Sequence, residues 1–231
     1  MQNFLKKHPW CILAAGAAIQ ILTGIPSAWG AFQKPITAEY GFSADEAALA
    51  FSFVICFFGI GCIVGGFLQD RFGPRTAGLC GSALLALGFV SAGWLLPAGQ
   101  TVLFYAFFSA PVGLGCAFLY PAVMSCAQKW YTDRKGLATG IIGGAVGLSG
   151  AALTLLVRGL EGALGIRTAL IILGGILGGI CGAGSLFLKN PSAPAKQHAG
   201  CPFKRNAEKQ AIPSFIFYYL PCDAQCAFVQ P

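Results

Sequence analysis

The stretch GGFLQDRFGPRTAG, residues 65–78, lies between two long apolar runs and places one acidic and two basic side chains in a short turn. Gly73 and the proline after it favour a tight turn. Asp70 can accept hydrogen bonds from free backbone N–H groups at a neighbouring helix start, where the helix dipole also favours an anion. Arg71 and Arg75 can pair with carboxylates or lipid phosphates. The stretch therefore indicates two membrane-spanning helices joined by a charged loop, although a loop kept polar for no further reason would have a similar composition.

The composition places the whole chain in a membrane. Of its 231 residues, 56% are hydrophobic and 10% are charged, and the mean hydropathy is +0.69. Soluble domains carry about 25% charged residues, and a spanning helix needs about 20 mainly apolar residues. We therefore predict an all-α integral membrane fold, with six transmembrane helices in a domain of residues 1–190. The predicted spans cover about 10–32, 47–68, 76–96, 101–127, 137–157 and 167–188.

Residues 191–231 are predicted to form a cytoplasmic linker and tail that is poorly ordered. The last apolar stretch is too short before Pro221 to make a seventh span, which favours a truncated or frame-shifted product. The tail also holds four possible zinc ligands, His198, Cys201, Cys222 and Cys226. Their spacing matches no common zinc site, so we expect neither a metal ion nor a cofactor.

The basic residues indicate how the chain is oriented. Six spans leave both termini, the loop between spans two and three and the loop between spans four and five on one side. That side carries twelve Lys and Arg residues, against Lys34, Arg158 and Arg167 on the other. The positive-inside rule then places both termini in the cytoplasm of a multi-pass protein of the cell membrane. Because topology accounts for the net charge of +7, nucleic acid is not an expected partner.

The interior of the predicted spans is almost free of charge. Apart from Arg158 at the end of the fifth, they contain no Asp, Glu, Lys, Arg or His, the groups that commonly mark ion paths and proton relays. They do contain polar and aromatic side chains at membrane depth. Most of these fit helix–helix hydrogen bonds or packing, and a minority could line a substrate path. The candidates for that path are Gln20, Trp29, Tyr120 and Ser149.

Glycines recur at a spacing of four in the fifth predicted span. Gly136 and Gly140, Gly140 and Gly144, and Gly143 and Gly147 are such pairs. Small residues at this spacing form a flat helix face that lets another helix approach closely. Static tight packing is one interpretation, and a smooth face on which helices slide or rock during transport is the other.

Two loops carry a family resemblance. GFLQDRFGPR resembles the signature loop of the major facilitator superfamily, in the form found in oxalate/formate antiporters and monocarboxylate transporters, with a proline in place of the first of two paired basic residues. The matching positions are Gly66, Asp70, Arg71, Gly73 and Arg75. KWYTDRKGLATG, residues 129–140, resembles the loop between the fourth and fifth helices of oxalate/formate antiporter-like proteins. Its matching positions include Lys129, Trp130, Asp133, Arg134, Lys135 and Gly136.

A third stretch, GIPSAWGAFQKPI at residues 24–36, is similar to the end of the family's first helix. Trp29 and Pro35 match, whereas Ser27 stands where a tyrosine is usual.

The resemblance implies a function and a missing partner. Members of this family have two six-helix halves, bind substrate between them and transport it by alternating access. The resemblance implies that the substrates here are small organic anions such as oxalate, formate and other mono- or dicarboxylates. The chain corresponds to the N-terminal half, so a second six-helix half or another copy would be needed for transport. The basic residues that bind carboxylates would lie in the second half. Asp70, Arg71 and Arg75 would belong to a cytoplasmic gate.

The alternatives to a transporter half are a non-transporting membrane protein and a membrane enzyme. A truncated, non-transporting membrane protein or assembly partner would have the same spans and motifs. A membrane enzyme would need a nucleophile and base or a metal cluster near an interface. The chain has two histidines, His8 and His198, both near its ends, so we do not expect an enzyme.

Overall fold

The computed structural model describes residues 10–95 and 100–188. The chain divides into a unit Met1–Ser192 and a unit Ala193–Pro231. The predicted tail, its four possible zinc ligands and the basic residues before Trp10 lie outside the described residues.

Eight α-helices make up most of the described chain, which contains no β-strand. A π-helix, Tyr105–Ser109, and a short 3₁₀ turn, Thr132–Arg134, lie between some of these helices. The helices are α1 (Trp10–Thr23), α2 (Ile25–Tyr40), α3 (Ala44–Phe72), α4 (Pro74–Leu95), α5 (Thr101–Phe104), α6 (Ala110–Trp130), α7 (Lys135–Leu164) and α8 (Ile166–Phe187).

These helices form six segments that are long and apolar enough to cross a membrane, as the sequence predicts. Four of the spans are single helices, α3, α4, α7 and α8. The first span joins α1 and α2 as Trp10–Tyr40, and the fourth joins α5, the π-helix and α6 as Thr101–Trp130.

Several helices continue beyond the predicted apolar ends. The first span, predicted to end near residue 32, remains helical to Tyr40 and ends at Gly41, whose φ of 69° suits glycine. Ser43 then starts α3 with a capping box: its Oγ accepts a hydrogen bond from the Glu46 N–H at 3.2 Å, and its own N–H donates to the Glu46 carboxylate at 2.8 Å. This Ser-x-x-Glu signal was readable in the sequence.

Glycines close the seams between the packed spans. The main helix pairs are α4 with α8, α3 with α6, α4 with α6, and α1 with α7. At the α4–α6 crossing, a Cβ added to Gly81 would lie 2.8 Å from the Gly115 carbonyl oxygen, and a Cβ on Gly115 would lie equally close to that of Gly81. The two backbones therefore touch, which a larger residue at either position would prevent.

The two ends of the bundle differ in charge. The end that carries Arg71, Arg75, Arg134 and Lys135 is called the basic end below. At the opposite end, Arg167 forms an ion pair with Glu39 at 2.7 Å, and its guanidinium lies 5.1 Å from the centre of a neighbouring tyrosine ring. Successive spans run alternately between these ends, since α3 ends and α4 begins at the basic end, whereas α8 begins at the opposite end.

An aromatic core fills the half of the bundle away from the basic end. Phe104 and Phe108 lie 4.8 Å apart between ring centres, and Phe108 meets Phe89 edge to face at 5.2 Å. The π-helix, which the sequence did not indicate, places Phe108 in this cluster. The Ser91 hydroxyl donates to the Phe107 carbonyl oxygen at 2.8 Å, so the widened turn is tied to α4.

Candidate functional site

The first span is broken near its middle, at Gly24. α1 ends at Thr23 and α2 begins at Ile25, and Gly24 between them has φ −74° and ψ 42°. Pro26 follows in the first turn of α2, where the missing N–H is tolerated. A Cβ added to Gly24 would lie 1.7 Å from Ser149 Oγ. Only glycine therefore lets α7 approach the break this closely.

Side chains from three spans bind the backbone groups at this break. The Gly24 carbonyl oxygen accepts a hydrogen bond from Ser27 Oγ at 2.6 Å and lies 3.3 Å from Ser149 Oγ, whose single proton has a closer acceptor in the Val146 carbonyl oxygen of its own helix. The two hydroxyls are 2.8 Å apart. Cys116 of α6 donates its thiol to the Thr23 carbonyl oxygen at 3.2 Å. The break is thus a polar junction between the first, fourth and fifth spans.

Gln20 extends this junction along α1. It is 2% exposed, and its Oε1 accepts a hydrogen bond from Thr23 Oγ1 at 3.0 Å. Its Nε2 has no hydrogen-bond partner within residues 10–95 and 100–188. The path candidates Gln20 and Ser149 therefore both belong to the junction, although neither reaches the surface of the chain.

The aromatic path candidates lie in different surroundings. Trp29 is 6% exposed and stacks on Phe51 with 5.7 Å between ring centres. Tyr120 is half-buried and meets Phe58 edge to face at 6.1 Å. Of the four candidates, Tyr120 alone is partly accessible. Ser27, which the path candidates did not include, is exposed and touches Ser149.

The first loop motif forms the turn from α3 to α4. Gly73 has φ 90°, a conformation that side-chain-bearing residues rarely adopt, so glycine is required there. Asp70 and Arg71 are exposed, and the Arg71 guanidinium lies 5.6 Å from the centre of the Phe72 ring. Gly66, the first position of the motif, has open space beside it.

Arg75 has a structural partner on the last span. Its Nε and Nη2 donate to the Leu186 carbonyl oxygen at 3.0 and 2.6 Å. Leu186 is in the last turn of α8, where unpaired carbonyl oxygens and the negative end of the helix dipole favour a cation. Arg75 therefore holds α8 to the start of α4, a role that the motif alone does not reveal.

A neighbour of the motif makes a further contact that sequence reasoning missed. Gln69 is buried, and its Nε2 donates to the hydroxyl of Ser125 on α6. Its Oε1 has no hydrogen-bond partner among the described residues. The signal in the sequence was a glutamine at the end of an apolar run, one residue before the motif's acid, since polar groups in a span need partners.

The second loop motif lies at the same end of the bundle. Lys129 and Trp130 are half-buried at the end of α6, whereas Arg134, Lys135 and Gly136 are exposed where α7 begins. The side chain of Asp133 is outside the described part of the structure. Burial raises the pKa of the adjacent Tyr131 above its ordinary value, and the Cys11 thiol adds to this rise.

Two helices of the bundle have faces that no other described residue covers. α3 and α7 are the two least buried spans. Along α7, added Cβ atoms on Gly140, Gly143, Gly144 and Gly147 would meet nothing within 4 Å. α3 packs on α6, where Phe58 meets the half-buried Tyr120, and α7 packs on α1 and α2, where Ser149 meets Gly24 at the break.

The chemistry available at the junction is hydrogen bonding. Hydroxyl groups can donate to carboxylate oxygens. No group of three or more His, Cys, Asp or Glu side chains within the described residues could hold a metal ion. Lys34 is exposed and lies toward the end of the bundle opposite the basic end. It is part of α2, since that helix continues beyond the predicted limit near residue 32.

The sequence is similar to known membrane transporters. A family model described as Major Facilitator Superfamily matches residues 11–217. The chain is 26% identical over 177 residues to the oxalate:formate antiporter of Oxalobacter formigenes, covering 75% of this chain and 41% of that protein. It is 28% identical over 163 residues to monocarboxylate transporter 13 of Bos taurus, covering 70% and 37%.

A third relative is an uncharacterized 38 kDa protein in the 23S RNA operon of Thermoproteus tenax, 32% identical over 140 residues that cover 60% of this chain and 36% of that protein. The chain thus spans less than half the length of these curated relatives.

Proposed function

The chain belongs to the major facilitator superfamily, and we propose that it forms the N-terminal half of a secondary transporter that moves small organic anions by alternating access. The proposed substrates are oxalate, formate and other mono- or dicarboxylates. The support for this class is the similarity to proteins named as an oxalate:formate antiporter and as monocarboxylate transporters.

The break in the first span is the observation that carries the proposal. Transporters place substrate sites near the membrane midplane, where interrupted helices expose backbone groups that the rest of a span would hide. Here Gly24 interrupts a 31-residue span, and the hydroxyls of Ser27 and Ser149 gather at its carbonyl oxygen. A rotation of the exposed Ser27 hydroxyl would let it donate to a carboxylate instead.

The path candidates then divide by accessibility. Tyr120 and Ser27 would face the substrate, since both reach the surface of this half. Gln20, Trp29 and Ser149 would support them from behind. The cations that bind the carboxylates directly would come from the second six-helix half.

The basic end is proposed to face the cytoplasm. Its exposed arginines and lysines satisfy the positive-inside rule in that orientation. Asp70, Arg71 and Arg75 would then form one side of a cytoplasmic gate, and Arg75 would fix the position of that side through its hydrogen bonds to Leu186.

Reconstitution tests the transport function. The purified chain is placed in liposomes loaded with unlabelled oxalate, and uptake and binding of labelled oxalate, formate and lactate are measured. We expect binding of at least one labelled anion above that of empty liposomes, reduced several-fold by Ser27→Ala, and uptake where a second six-helix half or another copy completes the site. Ser52→Ala is the matched control, because the Ser52 hydroxyl is exposed on α3 and donates to the Ala48 carbonyl oxygen of its own helix.

A chain that neither binds nor moves any of the three anions would contradict the proposal. That result would favour the alternative of a non-transporting membrane protein or assembly partner. Equal losses in Ser27→Ala and Ser52→Ala would argue against a site at the break.

A further inference from the structure

The break in the first span brings together more oxygen atoms than its hydroxyl protons can serve. Ser27 Oγ lies 2.6 Å from the Gly24 carbonyl oxygen and 2.8 Å from Ser149 Oγ. Ser149 Oγ is also within hydrogen-bond distance of the Val146 carbonyl oxygen. A carbonyl oxygen carries no proton and a hydroxyl carries one, so two protons have to serve these three contacts. One pair of oxygens therefore faces each other without a proton between them. These four oxygens are called the oxygen cluster below.

The other donors at the break do not supply the missing proton. The Cys116 thiol donates to the Thr23 carbonyl oxygen, and the Thr23 hydroxyl donates to Gln20 Oε1. The Ser27 backbone N–H donates to the Gly24 carbonyl oxygen at 3.1 Å, which leaves the contact between the two serine hydroxyls unchanged. Gln20 Nε2 has no hydrogen-bond partner among the described residues, so it does not reach the cluster. The oxygen cluster is thus short of one positive centre.

Close backbone packing holds the cluster in place. A Cβ added to Gly24 would lie 1.7 Å from Ser149 Oγ, and a Cβ added to Gly150 would lie 3.1 Å from the Ser27 carbonyl oxygen. The first span and α7 therefore touch through positions without side chains, on both sides of the contact. Oxygens fixed in this way cannot separate to relieve their repulsion without moving a helix.

The field at the break also favours a cation. α1 ends at Thr23, and the last carbonyl oxygens of a helix lack helical partners and form the negative end of its dipole. Pro26 has no N–H with which to pair one of them. In other transporters with interrupted helices, free carbonyl oxygens and the C-terminal ends of half-helices coordinate the coupling ion.

We propose that the oxygen cluster binds sodium. Hard cations take oxygen ligands. A monovalent ion suits the cluster better than a divalent one, because its four oxygens are neutral and burying charge without a counter-charge is costly. The separations of 2.6 to 3.3 Å between these oxygens favour a small ion over potassium. Ser27 is exposed, so the ion reaches the cluster from that side.

The proposal rests on the proposed function in one respect, because it makes sodium the ion that is coupled to the organic anion. Sodium bound at the cluster turns the hydroxyl oxygens toward itself and their protons away. The Ser27 proton then leaves the Gly24 carbonyl oxygen and is free to donate to a carboxylate at the exposed side. The carboxylate in turn supplies the negative charge that the residues at the break lack. Each ion therefore raises the affinity for the other.

Direct binding tests the site without any organic anion. The purified full-length chain in detergent is titrated with radiolabelled sodium in choline chloride at constant ionic strength, and the thermal midpoint is measured in parallel. We expect saturable binding of one ion per chain and a midpoint that rises with sodium. Unlabelled lithium should compete, whereas potassium should compete poorly.

Two buried serines provide a matched pair of variants. Ser149→Ala removes an oxygen of the cluster, and we expect sodium affinity to fall by about tenfold or more, the effect of losing one contact to a charged group. Ser185→Ala is the control and should bind sodium unchanged. Ser185 is equally buried, donates to the Cys181 carbonyl oxygen of its own helix, and lies against Gly78 as Ser149 lies against Gly24.

An exposed serine extends the test to a position where substitution does not disturb packing. Ser27→Ala should also weaken sodium binding by about tenfold or more, and Ser52→Ala on α3 should not. Detergent size-exclusion profiles show whether each variant is folded. The absence of saturable sodium binding in the unaltered chain would overturn the proposal, as would equal affinities in Ser27→Ala and Ser52→Ala.

Two further outcomes would also overturn it. Potassium that competes as well as lithium would contradict the fit of a small ion. A midpoint that rises on acidification but not with sodium would assign the missing positive centre to a proton.

A last titration separates this site from the proposed transport function. Labelled sodium binding is repeated with oxalate, formate or lactate present, and we expect its affinity to rise with at least one of them. Sodium binding that responds to no anion would support the cation site and contradict the proposed substrates. Anion binding without sodium binding would support the proposed function and overturn the cation site.

Discussion

Glycines occupy two kinds of position in this bundle. In the seams of α3, α4 and α6, an added Cβ on Gly81, Gly113 or Gly115 would lie under 3 Å from a backbone atom of another helix. Gly140, Gly143, Gly144 and Gly147 form an exposed stripe on α7, where an added Cβ would meet nothing within 4 Å. Small residues therefore allow close approach inside the half, whereas on α7 they leave a surface that nothing in residues 10–95 and 100–188 covers.

The largest expected effect comes from a bulky residue in a closed seam. Gly115→Val would bring its Cβ to 2.8 Å from the Gly81 carbonyl oxygen and the Leu85 nitrogen, so α4 and α6 must separate. We expect a loss of about 3 kcal/mol or more in the free energy of unfolding, seen as a lower thermal midpoint in detergent. Gly144→Val is the control on the exposed stripe of α7. Equal thermal midpoints for the two variants would contradict the difference between glycines that touch another helix and glycines that do not.

A smaller effect is expected at the break in the first span. Gly24→Ala collides with the Ser149 side chain rather than with backbone, so the cost should be about 1–3 kcal/mol. Ser149→Gly removes the atoms that collide, and the double variant should recover stability relative to Gly24→Ala. If the effects of the two substitutions on thermal unfolding were strictly additive, contact with the Ser149 side chain would not be the cause of the destabilisation by Gly24→Ala.

The hydrogen bonds from Arg75 to the Leu186 carbonyl oxygen, where α4 packs on α8, should contribute less to the free energy of unfolding. This seam is already closed by Gly78, whose added Cβ would lie 2.5 Å from Ser185 Oγ. Arg75→Gln removes the two hydrogen bonds to Leu186, and because the site is partly exposed we expect a cost of about 1 kcal/mol. Hydrogen exchange at the last turn of α8 should accelerate. Arg71→Gln is the control and should leave that exchange unchanged; a matching acceleration would show that general surface charge is responsible.

The smallest effect is expected where the stripe is open. Gly144→Ala adds one methyl group to empty space on α7, so the thermal midpoint in detergent should correspond to a change within about 0.5 kcal/mol. Gly81→Ala is the comparison inside a seam. A cost above about 1 kcal/mol for Gly144→Ala would place this face in contact within the single chain.

Composition and motif spacing predicted the class of protein and its six spans, and both are confirmed. The extended helix ends were missed because the prediction followed apolar runs, whereas Ser43 and Glu46 cap a helix that begins in polar sequence. The π-helix was missed because its turn has the composition of its neighbours. The cytoplasmic placement of the termini and the path roles of Gln20, Trp29, Tyr120 and Ser149 remain predictions.

The sequence by itself determined that the chain lies in a membrane, where it crosses and which family it resembles, because hydropathy and loop motifs are local properties. Only the tertiary structure decided which glycines touch another helix, that Arg75 binds the end of α8, and that Ser149 meets Gly24. These outcomes depend on which helix lies beside which. A spacing of four residues places small groups on one face of a helix but does not specify what, if anything, packs against that face.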